Sequence, residues 1–179
     1  ARETDKIQLA TGVAIAFPRS PMVLANISWD LQANSNGRFV LGLGTQVKGH
    51  NERRFSVKWE SPVKRLREVV LALRAIWKCW QNDENLDFRG NFYNFSLMTP
   101  FFNPGPIKDP KIPIVLSGLN PRISELAGEL SDGFFIHNFH TRQHIKNTII
   151  PNIHRGLAKA DRTARKCPLI TGTFVATGA

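Results

Sequence analysis

Acidic residues are scarce in this chain. Among its 179 residues, 14 Asp and Glu stand against 24 Lys and Arg, a formal net charge of +10 at pH 7. That imbalance favours anionic partners such as nucleic acid, phosphorylated cofactors or acidic surfaces. The signatures that would select nucleic acid are missing: no zinc pattern, no aromatic ribonucleoprotein signature and no basic zipper. Nucleic acid is therefore not an expected partner, and the charge reads as solvated surface. Cysteine is scarcer still. Cys79 and Cys167 lie far apart and form no metal or redox spacing, so each reads as packing in a reducing cytosol and no metal site is expected. No apolar run approaches membrane-spanning length, and the charged start Ala1–Lys6 has no apolar signal region. The expectation is a soluble, cytoplasmic protein with no membrane partner. No repeat or low-complexity segment is visible.

What the chain does have is apolar material for one sizeable core: it is 42% hydrophobic, with twelve Phe and four Trp. The stretch around which the rest is organised runs from Gly37 to Gln46. Phe39–Leu43 is almost wholly apolar, which predicts a strand buried on both faces, as in parallel sheets covered by helices. Gly42 and Gly44 would let another backbone or a flat ligand approach. Thr45 and Gln46 follow at the C-terminal strand end, the edge where α/β folds bind ligands.

Around it, strand and helix signals alternate. Ile7–Ile15 reads as a strand with Gly12 marking a bulge or close approach. Ser20-Pro21 predicts an N-cap and first turn, opening a largely buried helix through Met22, Leu24, Ala25, Ile27, Trp29 and Leu31. Residues 47–60 read as a long, basic loop containing His50, Arg53 and Arg54. Ser61-Pro62 opens the clearest helix, with an apolar stripe at Val63, Leu66, Val69, Val70, Leu73, Ile76, Trp77 and Trp80. Residues 82–110 break the alternation with a hairpin over 86–93 and a Pro-rich loop, an insertion rather than a linker. Strands follow at 112–116, ending in Ser117-Gly118, and at 134–136, ending in His137-Asn138-Phe139-His140. Asn120-Pro121 opens a helix reaching Leu130. A further helix from Thr141 should kink at Pro151. The last strand spans 169–176.

Taken in order, several of these features resemble one known family. They are Gly12 within the first strand, Gly37-Arg38-Phe39-x-Leu41-Gly42-x-Gly44-Thr45, and Phe88-Arg89-Gly90-x-Phe92-Tyr93. Gly118-x-x-Pro121-Arg122, Glu125-Leu126-Ala127-Gly128-Glu129 and Asp132-Gly133-Phe134 complete the set. The chain resembles the luciferase-like monooxygenase superfamily over its whole length, and the branch using the deazaflavin coenzyme F-420 looks most similar.

The resemblance implies a (β/α)8 TIM-barrel type of α/β fold, of which residues 1–179 form a single domain, incomplete at both ends, covering about strands 3 to 7. It implies a cofactor, coenzyme F-420 or alternatively FMN, lying across the C-terminal mouth. Gly12-Val13 would occupy the place where the family often has a non-prolyl cis peptide backing the ring. Gly44, Thr45, Gln46, Ser117 and Gly118 would border the ring or its ribityl chain. His137 and His140 stand where relatives place a hydroxyl and a lysine near the cofactor phosphate. The implied activity is oxidoreduction of a small-molecule substrate, by hydride transfer with F-420 or by monooxygenation with FMN. A non-catalytic binding module on the same barrel is the alternative class. The catalytic acid/base is unassigned and would belong to the absent N-terminal strands, so the piece alone would be inactive. The full-length protein could form a homo-oligomer.

Overall fold

The computed structural model describes residues 3–163, 166–172 and 177. Its first strand is broken into β1 (Leu9–Ala10) and β2 (Ala14–Ile15), separated by Thr11–Val13. Helix α1 (Pro21–Asn34) crosses over to β3 (Phe39–Gly44), and both β1 and β2 pair with β3 in parallel. The Ser20 side chain accepts from the Met22 N–H at the start of α1, with Pro21 in the first turn.

After the insertion come β6 (Ile114–Ser117), α4 (Pro121–Leu130), β7 (Gly133–Ile136) and β8 (Leu169–Thr171). The order β1-β3-β6-β7-β8 is parallel throughout, a curled half-barrel sheet. The expected strand over 169–176 is seen as β8, and residues 173–176 lie outside the described residues.

Alternation along the strands divides the sheet into two faces. Leu41, Leu43, Ile114, Leu116, Phe134 and Ile136 join the helices in one core. The opposite face carries Gly42, Gly44, Val115, Ser117, Gly133 and Phe135, most of them small. Helix α3 (Pro62–Asn82) lies over the core side and buries Leu66, Val69, Val70, Leu73, Ile76, Trp77 and Trp80, as its periodicity predicts. Trp29 of α1 meets Trp80 edge-on, with ring centroids 5.7 Å apart.

Three expectations need correction. Residues 48–54 form a helix, α2 (Lys48–Arg54), rather than a loop. Asn51, fully buried in α2, explains why: its Nδ2 donates to the carbonyls of Thr45 and Val47 at 2.9 and 3.1 Å. Helix α1 is not buried all round, since Val23, Ile27 and Leu31 form an exposed apolar stripe at four-residue spacing. The helix after Thr141 does not simply kink at Pro151. It runs as α5 (Arg142–His144), a π-turn over Ile145–Ile149 and α6 (Ile150–Lys159). Proline has no N–H to donate one turn back, so the ladder widens just ahead of it, and the Ile150 N–H reaches Ile145 instead.

The insertion contains the hairpin β4 (Phe88–Arg89) and β5 (Asn94–Phe95). Its turn is held by a residue that sequence reading passes over. The buried Glu68 carboxylate of α3 accepts from the backbone N–H groups of Asn91, Phe92 and Tyr93 at 2.8, 2.8 and 3.3 Å. Among the described residues, no helix is long and apolar enough to cross a membrane.

Candidate functional site

The parallel register brings Gly44, Ser117 and the residues that follow them to one edge of the sheet. Ile15 pairs with Gly44, Gly44 with Ser117, and Ser117 with Phe135. Residues just beyond that line therefore sit together at the C-terminal strand ends: Thr45-Gln46 after β3, Gly118 after β6 and His137 after β7. The structure brings Gly12-Val13, Gly44 and Ser117 into one neighbourhood. It leaves His137 and Gln46 exposed at the rim.

The break between β1 and β2 is the most constrained part of this edge. The Gly12–Val13 peptide is cis. The Thr11 hydroxyl replaces the missing ladder bonds, donating to the Gly42 carbonyl at 2.8 Å and accepting from the Gly42 N–H at 2.9 Å. This draws the Thr11 backbone so close that a Cβ on Gly42 would lie 1.9 Å from the Thr11 carbonyl oxygen. Gly42 therefore serves backbone packing. The Phe135 ring covers it from the other side, with Cε2 2.8 Å from the same point.

The remaining glycines differ in what lies before them. At Gly44 a Cβ would meet Val13 Cγ2 at 2.8 Å, and at Gly118 it would meet Ile123 Cγ2 at 2.6 Å. The space that both residues leave is filled by a neighbouring side chain, so neither presents bare backbone to a ligand. Gly12 has nothing within 4 Å of a built Cβ and is exposed, as is Val13 beside it. Of these four glycines, Gly12 alone offers open backbone.

Polar groups complete the edge. Thr45 is buried and its hydroxyl donates to the Gln46 carbonyl at 3.0 Å, while the Gln46 side chain accepts from the Val47 N–H. Gln46 has a φ of 57°, which turns the chain into α2. The Ser117 hydroxyl donates to the Phe135 carbonyl at 3.2 Å. Beyond β7, the rings of His137, His140 and His144 lie in a row, tilted against one another, with centroids 6.1 and 4.9 Å apart. His137 Nδ1 accepts from the Phe139 N–H, and His140 Nδ1 is buried without a hydrogen-bond partner among the described residues. Burial, then the neighbouring imidazoles of His144 and His137, hold the His140 pKa below the usual histidine value. Among the described residues no group of His, Cys, Asp or Glu has the geometry to hold a metal ion.

Thr11 and Asn51 are the residues that sequence reading missed. Thr11 adjoins a flagged glycine, but nothing in its identity says that its hydroxyl splices a ladder. Asn51 lies in a stretch read as loop; a single asparagine spaced four residues from an apolar Val47 carries no distinctive pattern.

Comparison with known proteins places this edge in context. A family model described as luciferase-like monooxygenase matches residues 1–179. An uncharacterized protein of Mycobacterium tuberculosis is 41% identical over 179 residues, covering 100% of this chain and 53% of that protein. A 5,10-methylenetetrahydromethanopterin reductase of Archaeoglobus fulgidus is 32% identical over 163 residues, 91% of this chain and 46% of the enzyme. The chain thus spans about half the length of these relatives. Among solved structures, an F-420-dependent secondary alcohol dehydrogenase bound to an F-420–acetone adduct superposes with a TM-score of 0.81. It is 22% identical and covers 95% of this chain and 50% of that one. At that identity the match speaks for the fold.

Proposed function

The chain belongs to the luciferase-like monooxygenase family, and from that premise we propose that it forms part of the cofactor mouth of an oxidoreductase using the deazaflavin coenzyme F-420. The observation that carries the reading is the open backbone at Gly12, next to Thr11, whose hydroxyl fixes the strand to β3. A flat ring needs a surface without side-chain bulk, held rigidly enough to face a substrate on its other side. The exposed Gly12 backbone fits that need, with Val13 exposed beside it and Ser117 farther along the same edge.

The chain's own residues would do three things. Gly12-Val13 supports one face of the ring and leaves the opposite face to the substrate. Thr45 and Ser117 satisfy backbone carbonyls at the strand ends, which keeps that edge from shifting as a ligand enters. His137 and His140, beyond β7, stand where an anionic arm of the cofactor would lie; as neutral imidazoles each offers one donor, and as imidazolium a charge. F-420, when bound, supplies hydride transfer to or from its deazaflavin ring. A relative of Intrasporangium calvum named as an F-420-dependent glucose-6-phosphate dehydrogenase, 28% identical over 167 residues, favours this cofactor. FMN with monooxygenation is the second reading, and the family description favours it.

The test is an anaerobic fluorescence titration of the full-length protein with F-420 and with FMN. Binding of F-420, followed by loss of its deazaflavin absorbance when an alcohol or sugar-phosphate donor is added, supports the proposal. Binding of FMN alone selects the second reading. Binding of neither removes both.

A further inference from the structure

Helix α2 carries positive charge that no carboxylate among the described residues pairs, although the Arg54 guanidinium lies 5.1 Å from the Phe55 ring centroid. Lys48, Arg53 and Arg54 occupy three of its seven positions, and their side chains and that of His50 are exposed. Among the described residues none of these cations forms an ion pair, and Glu52, the one acid on the helix, is exposed and pairs with none of them. Other cations in nearby parts of the chain do have polar partners: Lys58 pairs with Glu60, and Arg65 donates to the Tyr93 hydroxyl. The contrast sets α2 apart.

Its position is fixed. Helix α2 begins four residues after the last residue of β3, and buried Asn51 ties it to the Thr45 and Val47 carbonyls. The Val57 N–H, donating to the Asn51 carbonyl at 2.8 Å, closes the far side. The cations are therefore held at the rim of the edge that carries Gly12-Val13. Gly49, His50, Arg53 and Arg54 line an open groove of about 360 Å³ on that rim.

We infer that the α2 groove receives a multiply charged anion, a phosphate or carboxylate group on a molecule entering the mouth. The inference rests on the mouth proposed above. Two arginines side by side suit such a group, because each planar guanidinium fork donates paired N–H groups to two anionic oxygens. A rim of unpaired cations also steers an anion toward the opening before contact.

The experiment uses full-length protein and inorganic pyrophosphate as probe, by calorimetry at low and moderate salt. Wild type is compared with Arg53→Ala/Arg54→Ala and with Lys108→Ala/Lys111→Ala. The second double variant removes the same charge near the opposite ends of the strands. The groove predicts pyrophosphate binding that weakens about tenfold in the arginine variant and less than about twofold in the lysine variant. It also predicts a shallower salt dependence in the arginine variant. F-420 and its phosphate-free ring–ribityl fragment then locate the source of the anion. Weaker binding of F-420 with the fragment unchanged assigns the anion to the cofactor; unchanged binding of both assigns it to the substrate. Failure of wild type to bind either ring molecule sinks the cofactor reading but leaves the pyrophosphate result standing. No pyrophosphate binding by wild type, or equal weakening in both double variants, overturns the inference.

Discussion

Replacing Thr11 with Val should loosen the whole ligand edge while keeping its shape. The two side chains have nearly the same volume, so the change removes the hydroxyl and little else. In the structure that hydroxyl serves both polar groups of Gly42, donating to the carbonyl at 2.8 Å and accepting from the N–H at 2.9 Å. Gly42 is buried beneath Phe135, which keeps water from replacing the lost partner. A buried backbone group left unpaired costs about 1–3 kcal/mol, so losing both partners should destabilise the protein by about 2–6 kcal/mol. Urea unfolding of full-length Thr11→Val against wild type reads this directly. Thr11→Ser, which keeps the hydroxyl, should stay within about 1 kcal/mol of wild type. A Val variant within about 0.5 kcal/mol of wild type would show that the hydroxyl does not hold β1, β2 and β3 together.

Glu68→Gln removes the carboxylate that accepts three N–H groups in the hairpin turn. Hydrogen bonds to a charged group contribute about 1.5–3 kcal/mol, so amide exchange at Asn91, Phe92 and Tyr93 should accelerate strongly; unchanged exchange would refute the clamp. The depressed His140 pKa means that the unfolded chain binds the proton more readily than the folded one. The associated stability is whole above the ordinary value of 6.5 and is lost as the pH falls below it. Wild type should therefore lose more stability than His140→Gln between neutral pH and pH about 5, and parallel curves would contradict this. Residues 1–179 expressed alone should aggregate or pack loosely, because β1, β2 and β8 are edges of the described sheet and Val23, Ile27 and Leu31 stand exposed. A monomer that melts cooperatively would show that the half-barrel is self-sufficient.

The sheet was legible in the sequence because buried parallel strands are apolar on both faces. Phe39–Leu43, Ile112–Leu116 and Phe134–Ile136 announced themselves by composition, and Ser20-Pro21 and Asn120-Pro121 marked the helices that follow two of the strands. Helix α2 escaped because its stability comes from one buried asparagine rather than from an apolar stripe. The exposed side of α1 escaped for the opposite reason: Ile27 and Leu31 are apolar, and sequence pattern cannot tell a core contact from an uncovered face.

The candidate site was legible as an edge but not as a surface. Glycine identity flagged Gly12, Gly44 and Gly118 alike, yet what fills the space before each depends on residues distant in the chain. Val13 covers Gly44 and Ile123 covers Gly118, which leaves Gly12 as the open one.

That distinction sets the most direct test of the proposed mouth, a fluorescence titration of full-length Gly12→Val with F-420 and FMN, beside a circular dichroism spectrum of the same variant. Nothing lies within 4 Å of a Cβ built at Gly12, so the added side chain should leave the fold unchanged. It would occupy the space proposed for the ring, so affinity for the cofactor that wild type binds should fall by more than about tenfold. A folded Gly12→Val protein that binds this cofactor as tightly as wild type would contradict the account.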